Sequence, residues 1–360
     1  MTSLFNPETV YPDMANGVIV TKPWTFSAGI NGTNTPGKCF YVDPRGNEYG
    51  YAREGNDGLS WLTPLRTIQE AVDKCVTKRG DIIYVGSAAE DKNADDTTDY
   101  RKIKENVVIF DKANVHIFAV PFKSQWSHQI RASDGARSGL SPTGTIRACA
   151  LYATIASDSV AFIVMSRDVE IAGFTIDSGG GKVGMYIGDG SGMTLTGTDA
   201  EGEEGANSSG AWIHDNYFIG DGIGSAGAGI VLQGCGSDVL IENNMFEKCD
   251  GAGVYLGSGS EKTIERPTIR YNHFKNCVGY GVFAYNTATT VQALVHGNTF
   301  QDGSNTMTNP VLFNGDSPVD ALASGNWLGC TNGIVLGASS WISANYRNTA
   351  GNAATYVDVD

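Results

Sequence analysis

The chain has 360 residues, 41% of them hydrophobic, with 46 glycines and a formal net charge of −14 from 39 acids against 25 bases. That length and apolar content suffice for one long body or two ordinary domains, and the acid excess argues against a nucleic-acid groove, which needs clustered Lys and Arg. No apolar run approaches the length of a membrane span. The seven cysteines, Cys39, Cys75, Cys149, Cys235, Cys249, Cys277 and Cys330, lack the close spacing of a zinc knuckle and read as small buried thiols. The start, MTSLFNPETVYPDM, has no basic region followed by an apolar core. Folding in a reducing cytoplasm is the expectation.

Residues 1–40 carry Pro7, Pro12, Pro23 and Pro36 and show no repeat. A docking arm that packs on the body or on a partner is expected there. Residues 41–80 then hold NDGLSWLTPLRTIQEAVDKC, from 56 to 75. Thr63 suits an N-cap and Pro64 the first helical turn, while Leu65, Ile68, Ala71, Val72 and Cys75 make one apolar face. Gly80 is expected to stop this helix, and DIIYVG begins a strand. An amphipathic helix in front of a stack of strands covers an end whose edge and core would otherwise meet water.

The DG-S-W-TP stretch followed by TIQ-AV resembles the opening motif of right-handed parallel β-helix proteins of the pectate-lyase-like superfamily. Many bacteriophage tail spikes and other virion proteins open in the same way. The resemblance covers residues 40–345 as a fold and 56–86 as a specific motif. It implies an all-β, right-handed parallel β-helix, a solenoid with an N-terminal capping α-helix, occupying residues 81–345.

From Asp81 to Ile176 the strands are irregular: DIIYVG, ENVVIFDKANVHIFAV, GTIRACALYATIAS and VAFIVMSRDVEIAGFTID. Two segments interrupt them. Residues 87–105 hold Glu90, Asp91, Asp95, Asp96 and Asp99, and residues 188–210 hold Asp199, Glu201, Glu203 and Glu204. The second reads as a loop thrown out from a coil, and long glycine-rich loops are functional or mobile. The acids of the second could take up calcium, although they lack the spacing of a calcium loop; no other cofactor is expected.

Beyond Ala211 one phrase recurs five times: IHDNYF from Ile213, IENNMF from Ile241, IRYNHF from Ile269, VHGNTF from Val295 and ASGNWL from Ala323, at steps of 28, 28, 26 and 28 residues. A second apolar phrase follows each: GIVL from Gly229, GVYL from Gly253, GVFA from Gly281, PVLF from Pro310 and GIVL from Gly333. A period in this range marks stacked repeats, and β-branched and aromatic residues at alternating positions mark strands. Asn216, Asn244, Asn272, Asn298 and Asn326 should therefore stack as a ladder, each in a bend it stabilises through left-handed backbone and amide bonds. Phe218, Phe246, Phe274 and Phe300 should form an interior stack that Leu328 continues. Residues 346–360 are expected to cap the end.

For catalysis, a hydrolase needs two carboxyls about 5 to 10 Å apart, and Asp215, Asp221, Asp238 and Asp250 should face outward on neighbouring coils. Two fragments resemble lyase motifs: AWIHDN at Ala211 resembles a tryptophan, aspartate and histidine stretch of pectate lyases with Asp and His exchanged, and ERPTIR at Glu265 resembles their arginine and proline stretch with Arg266 moved beside Pro267. The resemblance implies Arg270 as base and Asp215, Asp221 or Asp238 as calcium ligands. Both fragments overlap the repeated phrase, which supplies half their letters. The five histidines, His116, His128, His214, His273 and His296, show no His-Glu-x-x-His pair and read as surface histidines, so no metal site is expected.

Trp212, Tyr255 and Tyr280 are the aromatics placed to hold a sugar. The expectation that unites these features is a bacteriophage virion surface protein, a spike, fibre or capsid decoration. It would be a homotrimer, joined to other virion proteins through residues 1–40 and able to bind host surface polysaccharide, with no nucleic acid or membrane as partner. The alternative is a polysaccharide depolymerase, a glycoside hydrolase or a pectate-lyase-like lyase.

Overall fold

The computed structural model describes residues 10–13, 18–21, 37–44, 52–86, 103–119, 150–152, 160–178, 183–188, 207–220, 222, 227–234, 236–257, 264–285, 290–303, 306–314, 321–336, 341–347 and 355–357. They build a parallel β-helix with three long sheets. The first has ten strands, from Cys39–Val42 through Trp212–His214 to Trp341–Ser343, and the second has ten, from Ile103–Lys104 through Tyr217–Ile219 to Thr355–Val357. The third has seven, from Val107–Ile109 through Ala228–Gln233 to Asn309–Asn314, and a short sheet joins Gly236–Ser237, Ile264–Glu265 and Thr290–Val291. Of the expected arm, residues 1–40, the described residues are the hairpin Val10–Asp13 with Val18–Thr21 and residues 37–40, of which Cys39 and Phe40 belong to the first strand of the first sheet; the rest lies outside them.

Each repeated phrase is two strands, one in the first sheet and one in the second, with the asparagine at the corner. Ile213, Ile241, Ile269, Val295 and Ala323 are in register on one side. Phe218, Phe246, Phe274, Phe300 and Leu328 are in register on the other. The sharp corner comes from the residue before the asparagine: Asp215, Asn243, Tyr271, Gly297, Gly325 and Ala344 have φ between 51° and 63°. This corrects the expectation that the ladder asparagine itself is left-handed. Freed of that role, each asparagine turns inward.

The ladder amides bond along the stack. Asn244 Nδ2 donates to Ile213 O at 2.9 Å, to Glu242 O at 3.0 Å and to Asn272 Oδ1 at 3.1 Å, while its Oδ1 accepts from the Asn216 amide N–H at 3.0 Å. Asn216, Asn272, Asn298 and Asn326 repeat the pattern and all are buried. Asn345 adds a sixth rung after a step of only 19 residues. Beside the ladder the phenylalanine rings lie nearly parallel, with centroids 4.9, 4.8 and 4.8 Å apart.

The glycines that open three of the second phrases, Gly229, Gly253 and Gly281, face this stack. A Cβ on Gly229, Gly253 or Gly281 would lie 2.6, 2.5 or 2.4 Å from an atom of the Phe246, Phe274 or Phe300 ring. Glycine is needed here because the ring occupies the side chain's place. One continuous core runs along the solenoid from Phe40 to Cys330 and includes Cys75, Cys249 and Cys277.

The capping helix spans Ile68–Lys74, later than the sequence suggested. Thr67 is the N-cap: its hydroxyl accepts the Glu70 N–H at 3.1 Å, and the Glu70 carboxylate accepts the Thr67 N–H at 3.3 Å, a reciprocal capping box. Thr63 is spent elsewhere, its hydroxyl donating to Asp57 at 2.6 Å. Leu65 donates to Tyr41 O and accepts from the Asp43 N–H, so residues before 67 are held to the first strand and cannot be helical. The helix ends at Cys75, before Gly80. Glu105, from the next coil, accepts the Ile68 and Gln69 N–H groups at 3.0 and 2.6 Å and so fastens the helix to the stack. At the far end Thr355–Val357 pairs antiparallel with Asn345–Arg347 and breaks the parallel series.

Candidate functional site

Side chains alternate across a strand, so the first sheet shows two outward columns. One runs His116, Glu170, Trp212, Leu240, Thr268, Leu294, Leu322 and Trp341; the other runs Ala172, His214, Glu242, Arg270, His296, Ser324 and Ser343. Their polar members are joined coil to coil. Glu170 meets His116 Nδ1 at 2.6 Å and His214 Nε2 at 2.9 Å, and His214 Nδ1 meets Asp215 at 2.9 Å. The Trp212 ring stacks on His214 with centroids 4.1 Å apart, and its Nε1 donates to Glu242 at 3.0 Å. Arg270 Nε donates to the same carboxylate at 2.6 Å and Arg270 lies over the Tyr271 ring; Tyr271 packs edge-on to His296, which meets Ser324 Oγ at 3.0 Å.

Titration follows from this wiring. Burial disfavours the ionised form of Glu170, but the bonds from His116 and His214 outweigh it and bring its pKa to about 2. Burial likewise opposes the cation at His214, yet Asp215 and Glu170 raise its pKa to about 9. His214 is thus a buried imidazolium with both nitrogens engaged. That corrects its reading as a surface histidine, and it leaves no nitrogen for a proton shuttle or a metal. His273 is partly buried, and burial lowers its pKa. His128 lies outside the described residues.

The sequence-named catalytic residues do not assemble. Asp215 is bound to His214, and Asp238 stands on an exposed turn where Arg266 grips both its oxygens at 2.8 and 3.0 Å. Those bonds hold Asp238 below the ordinary carboxylate range. Asp250 is buried and accepts the Gly222 N–H at 2.8 Å, so it does not face outward. Arg270 is fixed as the cation partner of Glu242, an unsuitable state for a base. Asp221 lies outside the described residues, as do Glu90, Asp91, Asp95, Asp96 and Asp99 of the first interruption and Asp199, Glu201, Glu203 and Glu204 of the second. Among the described residues no group of three or more His, Cys, Asp or Glu is arranged to hold a metal ion, and no helix is long and apolar enough to cross a membrane.

The aromatic candidates divide between faces. Trp212 belongs to the first sheet, whereas Tyr255 and Tyr280 lie on strands of the third. Phe283, which the sequence reading passed over, sits between them: its ring stacks on Tyr280 at 4.2 Å and lies 5.4 Å from Tyr255. Alternation across Val282, Phe283 and Ala284 carried the signal for it, with Val282 and Ala284 buried and Phe283 turned outward. This cluster continues an outward column that begins with Val108, Ile163, Tyr186 and Val231, which form an apolar group separate from the main core. All three rings are partly exposed.

A family model for the right handed beta helix region matches residues 158–345. Among functionally curated proteins nothing matches. Among solved structures, the GH136 lacto-N-biosidase from Eubacterium ramulus is similar at 13% identity and a TM-score of 0.42, over 86% of this chain and 60% of that one. The pectin methylesterase from Aspergillus niger is similar at 11% identity and 0.43, over 91% and 93%. A tailspike protein mutant of E. coli bacteriophage HK620, in complex with a pentasaccharide, is similar at 14% identity and 0.37, over 94% and 65%. The chain therefore spans less than two thirds of the lacto-N-biosidase. The family match covers more than half of the sequence and falls on the coils that carry the asparagine and phenylalanine ladders, and the chain belongs to the right-handed β-helix family.

Proposed function

We propose that the protein is a structural component of a bacteriophage virion surface, a β-helical spike, fibre or capsid decoration, that holds host glycans on the outer face of its third sheet. In this reading it is folded in the host cytoplasm, assembles as a homotrimer and joins the particle through residues 1–40. The observation that carries the glycan part is the Tyr255, Phe283 and Tyr280 cluster. Neighbouring rings with apolar faces and two hydroxyl tips suit the CH faces and hydroxyls of sugars. A rigid stack repeating along its axis matches a polymer that repeats along its own. Binding is favoured over cleavage because Asp215, Asp238 and Arg270 are engaged in ion pairs with His214, Arg266 and Glu242.

The test is affinity electrophoresis of the full chain through gels holding host capsular or lipopolysaccharide, with parallel assays for new reducing ends and for unsaturated products. Retarded migration without either product is expected. Phe283→Ala should raise the Kd about tenfold, roughly 1.4 kcal/mol. New reducing ends or unsaturated sugars would make the protein a depolymerase, and unretarded migration would remove the glycan role.

A further inference from the structure

We propose that the last two coils form the surface through which copies of this chain associate. The proposal rests on the homo-oligomeric part of the reading above and adds where the contact lies. The outward columns of both sheets change character together at these coils. On the first sheet the run of His214, Glu242, Arg270 and His296 gives way to Ser324 and Ser343, while Leu240, Thr268 and Leu294 give way to Leu322 and Trp341. On the second sheet Glu247, Lys275 and Gln301 give way to Gly329, and Met245, His273 and Thr299 to Trp327 and Tyr346.

The apolar residues that arrive are exposed: Trp341 at 75%, Tyr346 at 43%, Trp327 at 42% and Leu322 at 39%. Leu322 and Trp341 are register neighbours, and the rings of Trp327 and Tyr346 stack at 6.4 Å. Between Ala321 and Val357 the sequence has one charged residue, Arg347, in a chain that is 18% charged. Such patches mark contact surfaces. Charge selects the partner. Two copies of a chain with net charge −14 repel wherever acids face acids, and coils packed about a three-fold axis bring the same region of every copy together. The last two coils carry no acid in these columns and present Trp327 and Trp341, so a second copy can meet them without that penalty.

The test is light scattering on the full chain at about 20 μM for wild type, Trp341→Glu, Trp327→Glu and Leu62→Glu. Leu62 is also 75% exposed but lies beside the N-terminal helix. Wild type should run at a multiple of 38.1 kDa. Each tryptophan variant should weaken association about thirtyfold or more and move toward the monomer, while Leu62→Glu keeps the wild-type mass. Hydrogen exchange on wild type guards against a variant that folds poorly: protection in 321–347 should rise with protein concentration, and flat protection overturns the proposal. So does a wild-type monomer, or a tryptophan variant that keeps its mass while losing glycan retention, which would make the patch a sugar site. Phe283→Ala losing glycan with its mass intact separates this proposal from the glycan reading.

Discussion

Asn244 concentrates the reasoning at the scale of the residue. Its amide satisfies the carbonyls of Ile213 and Glu242, and its oxygen satisfies the Asn216 N–H, all out of contact with water. Asn244→Ala strands those groups and should cost about 1 to 3 kcal/mol, read from the midpoint of urea unfolding. His214 makes a prediction in pH. Its folded pKa of about 9 exceeds the ordinary 6.5, so its stabilisation is complete below about 6.5 and is lost as pH rises through 9. Glu170, depressed to about 2, stabilises above about 4.5 and loses that contribution as pH falls through 2. The melting temperature should therefore fall between pH 7 and pH 10. In His214→Ala that fall should shrink, and at pH 6 the variant should be less stable by about 3 kcal/mol because two carboxylates lose their shared cation. The asparagines were legible because they recur at a fixed period; the Glu170 and His214 contact was not. Those two are 44 residues apart, and their meeting depends on how much chain leaves the coil between them.

At the scale of the element, the third-sheet glycines are a steric requirement of the neighbouring sheet. A methyl at Gly253 would sit 2.5 Å from Phe274 Cδ1 and 2.8 Å from Gly281 O, with a ring on one side and backbone on the other. Gly253→Ala should cost about 1 to 3 kcal/mol. At Gly333, which opens the corresponding phrase one coil past the last third-sheet strand, a Cβ meets nothing within 4 Å, and Gly333→Ala should stay within about 0.5 kcal/mol. Thermal denaturation of the two variants side by side separates ring contact from glycine's general flexibility. The strands and the helix were legible as elements, but their limits were not. The capping box at Thr67 and Glu70 stood in the sequence, yet Thr63 and Pro64 offered a competing start. Only the pairing of Leu65 with Tyr41 and Asp43 rules that start out. The corner residues hide for a different reason: Asp, Asn, Tyr, Gly and Ala all take the left-handed position, so no residue type signals it.

At the scale of the whole molecule, each coil is bonded mainly to the coil before and the coil after, and stability is a sum of neighbouring interfaces. Phe274 is the strongest place to test this, since its ring lies 4.8 Å from Phe246 on one side and 4.8 Å from Phe300 on the other, and it is fully buried. Phe274→Ala opens a cavity shared by two interfaces and should cost about 3 to 5 kcal/mol. If coupling is between neighbours, the loss has a location. Amide exchange should quicken in Met245–Glu247, His273–Lys275 and Thr299–Gln301, and should hold its wild-type rate in Asp81–Val85 and Val115–Ala119, several coils away. The helix supports that contrast, because Glu105 and the capping box fasten the N-terminal coils through bonds that Phe274 does not share. An equal loss of protection in every strand would mean that the continuous core from Phe40 to Cys330 unfolds as one unit. The sum over interfaces would then be the wrong description.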